Sequence, residues 1–97
     1  MIKHIVCWKV DDAALSHKYC EDAADLLQQM REQIAGLIHL ELAADQSRTE
    51  MSADLVLYSE FESWEALSHY DQHPLHQAFK DYLGPHRTER RVADYEI

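Results

Sequence analysis

The chain has 97 residues, room for one domain, and its 18 acidic against 9 basic residues leave a net charge of −9. Nucleic acid and anionic membrane both require a basic footprint, so this balance argues against either as a partner. A chain of this length buries only roughly 60–65% of its unfolded surface on folding, so a partner surface would add to its stability.

Residues 2–10 (Ile-Lys-His-Ile-Val-Cys-Trp-Lys-Val) predict a strand. One face carries Ile2, His4, Val6, Trp8 and Val10; the other carries Lys3, Ile5, Cys7 and Lys9. The chain opens directly on this pattern with no apolar leader, and no apolar run is long enough to cross a bilayer, so a cytoplasmic location is expected. Asp11 and Asp12 end the strand and start a helix over residues 13–34. Leu15, Tyr19, Ala23, Leu26, Leu27, Met30 and Ile34 form its core-facing stripe. Gly36 closes that helix and opens a second strand, Leu37 to Ala43, with Ile38, Leu40 and Leu42 on one face and Leu37, His39 and Glu41 on the other. Residues 44–52 lack any period and read as a surface loop. Asp54 to Phe61 is a third strand, with Leu55, Leu57 and Phe61 opposite Val56 and Tyr58.

A helix then runs from an N-cap at Ser63 through Trp64, Leu67 and Tyr70. Pro74 disfavours helical backbone at His73, so this helix ends there. Pro74 itself suits the first turn of a second helix carrying Leu75, Phe79, Tyr82 and Leu83, which Gly84-Pro85 stops. His76 falls in the first turn of that helix, where the positive end of the dipole favours a neutral imidazole able to act as a base. A last strand spans about Glu89 to Ile97, with Val92 and Asp94 opposite Ala93, Tyr95 and Ile97.

Two isolated cysteines, Cys7 and Cys20, lack the spacing of a disulfide or zinc site. His69, His73 and His76 stand at i, i+4, i+7, but Pro74 breaks the helix between them. No metal site and no cofactor is expected.

The order β-α-β-β-α-β, with the second helix broken at Pro74, is the ferredoxin-like α+β arrangement with a four-stranded antiparallel sheet. Helices cover only one face of such a sheet. The strands carry apolar or aromatic residues on both faces (Ile5, Cys7, Val56, Tyr58, Ala93 and Tyr95 on the second). A second copy of the chain packed through the sheet is therefore the expected partner.

The opening Met1-Ile2-Lys3-His4-Ile5-Val6, the segment Asp54 to Ser63, the Tyr70-x-x-His73-Pro74-x-His76 motif and the closing Asp94-Tyr95 together resemble the stress-responsive A/B barrel domain, or Dabb, family. The resemblance spans the whole chain. It implies a dimeric α/β barrel, two sheets face to face with the helices outside. One plant branch of that family is similar to polyketide cyclases that work without cofactor. Their working groups fall here on His4, Tyr70 and His76. Where that branch places large aromatics on the first helix, this chain has Ala23, Ala24 and Leu27, so the implied pocket differs in shape.

The expected site therefore consists of His4, Tyr70 and His76, with Asp94 orienting an imidazole. Its apolar walls are Val6, Trp8, Leu27, Leu40, Leu55, Leu57, Phe79 and Val92. A pocket lined by His4 and His76 is expected between sheet and helices, and whether it is closed and of small-ligand size, roughly 300 Å³ or more, is the observation that bears most on function. Three functions remain open: a homodimer that binds a small, mostly apolar molecule; a cofactor-free enzyme, polyketide cyclase-like or another lyase, using histidine acid–base chemistry; and a heme- or metal-using oxygenase of the dimeric barrel group.

Overall fold

Burial alternates strictly along β1 (Ile2–Val10), and this sets the two sides of the sheet in the computed structural model, which describes all 97 residues. Ile2, His4, Val6, Trp8 and Val10 are buried on the helix side; the residues between them are half-buried. A 3₁₀ turn (Ala13–Leu15) and α1 (Ser16–Gln33) follow, then β2 (Leu37–Ala44), β3 (Leu55–Phe61), α2 (Trp64–Gln72), α3 (Pro74–Leu83) and β4 (Arg87–Glu96). The sheet order is β2-β3-β1-β4, every pair antiparallel, which is the ferredoxin-like fold.

The helices form where the local chemistry places them. Asp12 caps the 3₁₀ turn by accepting the Ala14 N–H at 3.1 Å, so the first three residues of the expected helix wind more tightly than α. The α1 stripe then buries Tyr19, Ala23, Leu27 and Met30 against the sheet. Gly36, at φ 82°, turns the chain into β2. A Cβ there would sit 2.5 Å from Ala66 Cβ on α2, so only glycine fits. Ser63 caps α2, its Oγ accepting the Ala66 N–H at 3.1 Å. Trp64 lies at the first position of α2 and is 46% exposed, whereas Tyr70 on the same helix is buried. His73 is extended (φ −67°, ψ 140°), and its ring Nδ1 accepts the Leu75 N–H at 3.1 Å, capping α3 behind Pro74. Gly84 stays in helical backbone, so the stop comes from the chain leaving at Pro85 and not from a left-handed glycine.

Two strands depart from the sequence pattern. In β2, Leu37 pairs with Phe61 and His39 with Glu60, so Ile38 is an extra residue in a bulge. The bulge puts Leu37, not Ile38, on the side of Leu40 and Leu42, and Ile38 is left 48% exposed. β4 begins at Arg87, two residues before the expected start, because Arg87 pairs with Val10 and Glu89 with Lys9 across a second bulge. β4 is an edge strand, exposed along its whole length and rich in charge. Sixteen apolar side chains form the core between the sheet and the helices.

Candidate functional site

Strand β1 carries His4 into the helix side of the sheet, where its direct neighbours across the strands are Ser59 on β3 and Asp94 on β4. Ser59 is fully buried and donates its hydroxyl to the His4 carbonyl at 2.9 Å, which fixes the strand backbone. The Asp94 carboxylate accepts from His4 Nδ1. That contact orients the ring and leaves Nε2 as its free edge.

The corner between α2 and α3 supplies the other groups. In a continuous helix the Asp71 carbonyl would bond the N–H of residue 75. The break at His73-Pro74 frees it, as at any helix C-terminus. His76 Nδ1–H donates to this carbonyl at 3.0 Å, and Gln77 Nε2 donates to it at 2.9 Å. The His76 tautomer is thereby set with Nε2 bare. Burial, first of all, holds the His76 pKa below the ordinary 6.5, helped by the Lys80 charge and opposed by Asp71. Desolvation therefore disfavours the charged form of this imidazole, the direction anticipated from its place in the first turn of α3. Tyr70 is 1% exposed, and burial raises its pKa well above the phenol range, so it remains an O–H donor. Its ring packs against His76 at 4.3 Å, Phe61 at 4.9 Å and His4 at 6.0 Å between centroids.

His4, Tyr70 and His76 line one cavity, walled by Val6, Trp8, Leu57, Phe79 and Leu83. Three exposed cations, Lys80, Arg87 and Arg90, complete the lining at its mouth. Every side-chain nitrogen or oxygen sealed inside the chain has a hydrogen-bond partner. His4 Nε2, His76 Nε2 and Tyr70 Oη have no partner within the chain and are not sealed from solvent, and all three residues line this cavity.

The cavity is too small to enclose a whole ligand. Its interior is about 40 Å³, set within an open cleft of about 410 Å³ that includes solvent. One water needs roughly 10–15 Å³ by the same measure, so the interior admits a few atoms and not a whole ligand. The rings of Trp8 and Phe79, edge to face at 6.1 Å, form part of its wall.

Of the expected wall residues, Val6, Trp8, Leu57 and Phe79 line the cavity. Leu27, Leu40 and Leu55 do not; all three are buried in the core beneath it. Val92 is 43% exposed and borders a separate shallow groove with His4, Asp94, Leu67, Ser68, Asp71 and Arg90. Leu83, Lys80, Arg87 and Arg90 were missing from the sequence reading, as were Ser59 and the Asp71 carbonyl. Lys80 stands four residues after His76, and Arg90 shares the strand face of Val92 and Asp94, so both were within reach of periodicity. His69 and His73 rings meet edge-on at 5.7 Å, but His73 is occupied as a helix cap. No three His, Cys, Asp or Glu side chains converge into a group able to hold a metal ion. No helix is long and apolar enough to cross a membrane.

Comparison with known proteins gives a match between residues 2–97 and the model of the stress responsive A/B barrel domain. No curated protein matches the chain in sequence. Among solved structures, a dimeric protein of unknown function with a ferredoxin-like fold from Bacteroides fragilis is 23% identical, covering 99% of this chain and 95% of that one, with a TM-score of 0.85. A Dabb family protein with a ferredoxin-like fold from Mesorhizobium loti is 27% identical over 99% of this chain and 95% of its own, with a TM-score of 0.78. An antibiotic biosynthesis monooxygenase shares the fold at 15% identity, covering 100% of this chain and 98% of that one, with a TM-score of 0.79.

Proposed function

The chain belongs to the stress responsive A/B barrel domain family, and from that premise we propose that it works as a homodimer whose cavity takes one end of a small, mostly apolar molecule bearing an oxygen. One observation carries the ligand reading: a phenol donor and two imidazole nitrogens, each without a partner in the chain, belong to residues that line one cavity with Val6, Trp8, Leu57, Phe79 and Leu83 as its apolar walls. Such a set suits a carbonyl or hydroxyl group on an apolar body. The homodimer reading rests on the sheet face that no helix covers. Ile5, Cys7, Val56 and Tyr58 are only half-buried there, and Tyr95 is 41% exposed. The Bacteroides fragilis relative is described as dimeric.

The His76 geometry favours a second reading, proton transfer without cofactor. A ketone oxygen would accept from Tyr70 Oη–H. His76 Nε2 would take a proton from the carbon beside the carbonyl as that C–H bond breaks. The electron pair moves onto the oxygen, where Tyr70 stabilises the enolate. Return of the proton from His76 closes the cycle.

Both readings are tested with 4-oxo-4-phenylbutanamide, a neutral aryl ketone, followed by protein and ligand NMR. Binding should shift the resonances of His4, Tyr70 and His76. His4→Ala and His76→Ala should each weaken binding by about 1–3 kcal/mol through lost hydrogen bonds. Proton transfer adds deuterium uptake beside the ketone, which His76→Ala should slow by roughly 10²–10⁴. A probe that leaves all three resonances unmoved refutes the site. For the assembly, light scattering should give a dimer mass at micromolar concentration, and Val56→Asp should yield monomer or aggregate by burying an unpaired charge. A folded wild-type monomer refutes the assembly.

A further inference from the structure

The sign of charge at the cavity mouth opposes that of the molecule. The chain carries a net charge of −9, yet Lys80, Arg87 and Arg90 all line this one cavity and no acidic side chain does. None of the three takes part in any of the chain's ion pairs. Of the six other cations, Lys3, Lys9, Lys18 and Arg48 each reach a carboxylate, while Arg31 and Arg91 bond amide or backbone oxygens; what sets Lys80, Arg87 and Arg90 apart is that all three gather on one cavity. Three unneutralised cations around an apolar cavity form a focused positive potential in an acidic protein, the arrangement that draws in and holds an anion.

Their placement adds direction. Arg90 is the cross-strand neighbour of Trp8, on the same sheet face as His4 and Asp94. Lys80 lies one helical turn beyond His76 on α3. The charges of Arg90 and Lys80 are felt at Tyr70 and His76 respectively. The oxygen-handling groups are thus buried and the cations exposed, and the buried side chains of Trp8, Leu57 and Phe79 share the same lining. Since the interior measures about 40 Å³, most of a ligand must lie in the cleft, beside the cations.

Resting on the ligand-site reading above, we infer that the ligand is an amphipathic organic anion: an oxygen-bearing end enters the cavity, an apolar body follows, and a carboxylate or phosphate group is held at the mouth by Arg87, Arg90 and Lys80. Arginine's fork geometry suits either oxyanion.

The test compares 4-oxo-4-phenylbutanoate with its neutral amide by calorimetry, with phenacyl phosphate as the phosphate-bearing probe. The wild-type protein should bind at least one of the two anions about tenfold or more tightly than the amide, as expected for charge-assisted hydrogen bonds. The anion that binds more tightly identifies the head group. The doubly exchanged Arg87→Gln, Arg90→Gln protein should lose that preference while holding the amide as before, and Lys80→Gln should lose part of it. Amide and anions binding alike in the wild type, or a preference that survives all three exchanges, overturns the inference while leaving the site reading intact. If no probe moves the His4, Tyr70 and His76 resonances, the site reading itself fails. Anion binding that leaves those resonances still would place the anion elsewhere and also overturn the inference.

Discussion

Removal of the His76 imidazole tests the reasoning about burial most directly. His76 is 6% exposed, and burial is the main cause of its lowered pKa. In the unfolded chain a histidine takes up a proton as pH falls through about 6.5, whereas the folded protein resists doing so until a lower pH. Within that window the unfolded state holds more protons, so stability rises with pH and is lost as pH falls from about 6.5 toward the folded pKa. One proton sets a ceiling on the slope of about 1.4 kcal/mol per pH unit. His76→Gln keeps a side-chain N–H for the Asp71 carbonyl and removes the titration. Urea unfolding from pH 5 to 8, at fixed protein concentration, gives both curves. Their difference cancels the other histidines. It should be flat above about pH 7 and fall below about 6.5, with a slope under that ceiling. A difference that stays flat, or that favours the wild type increasingly as pH falls, refutes the claim that burial keeps His76 neutral.

Two further outcomes follow from the packing. Pro74→Ala should leave the break between α2 and α3 in place, because Phe79 and Leu83 are each 2% exposed and merging the helices would pull both from the core. Their burial contributes roughly 1.5–3 kcal/mol each, more than the few backbone bonds a continuous helix would add at about 0.5–1.5 kcal/mol each; loss of the Tyr70–His76 ring contact by NMR, with a gain in helix content, would contradict this. Leu57→Ala, at a side chain 1% exposed that also walls the cavity, should lower stability by about 2–5 kcal/mol in urea unfolding. A change under about 1 kcal/mol would mean that the neighbouring side chains collapse into the space.

Local chemistry in the sequence determined much of this protein. Alternation along residues 2–10 assigned His4, Val6 and Trp8 to one face, and β1 is buried on that face. Pro74 marked in the sequence where the break between the helices falls, since a proline and its predecessor disfavour continuous helix, and the packing of Phe79 and Leu83 holds it there. The order of elements specified the ferredoxin-like topology, and the spread of motifs along the chain identified the family. The tertiary structure decided what depends on pairing and packing. Ile38 left its expected face because β2 gains a residue against β3, a register choice that no periodicity in Leu37–Ala44 reveals. Arg87 and Thr88 became strand because β1 supplies hydrogen-bond partners as far as Val10, overriding a charged stretch with no β pattern of its own. Cross-strand register chose His4 as the partner of Asp94. The partner of His76 is a backbone carbonyl, released where α2 stops, and a backbone group leaves no mark in a list of side chains. Leu27, Leu40 and Leu55 went into the core, and Trp8 and Phe79 onto the cavity wall, when the sheet and helices packed together. That is a matter of volume and rotamer, which the order of residues does not encode locally.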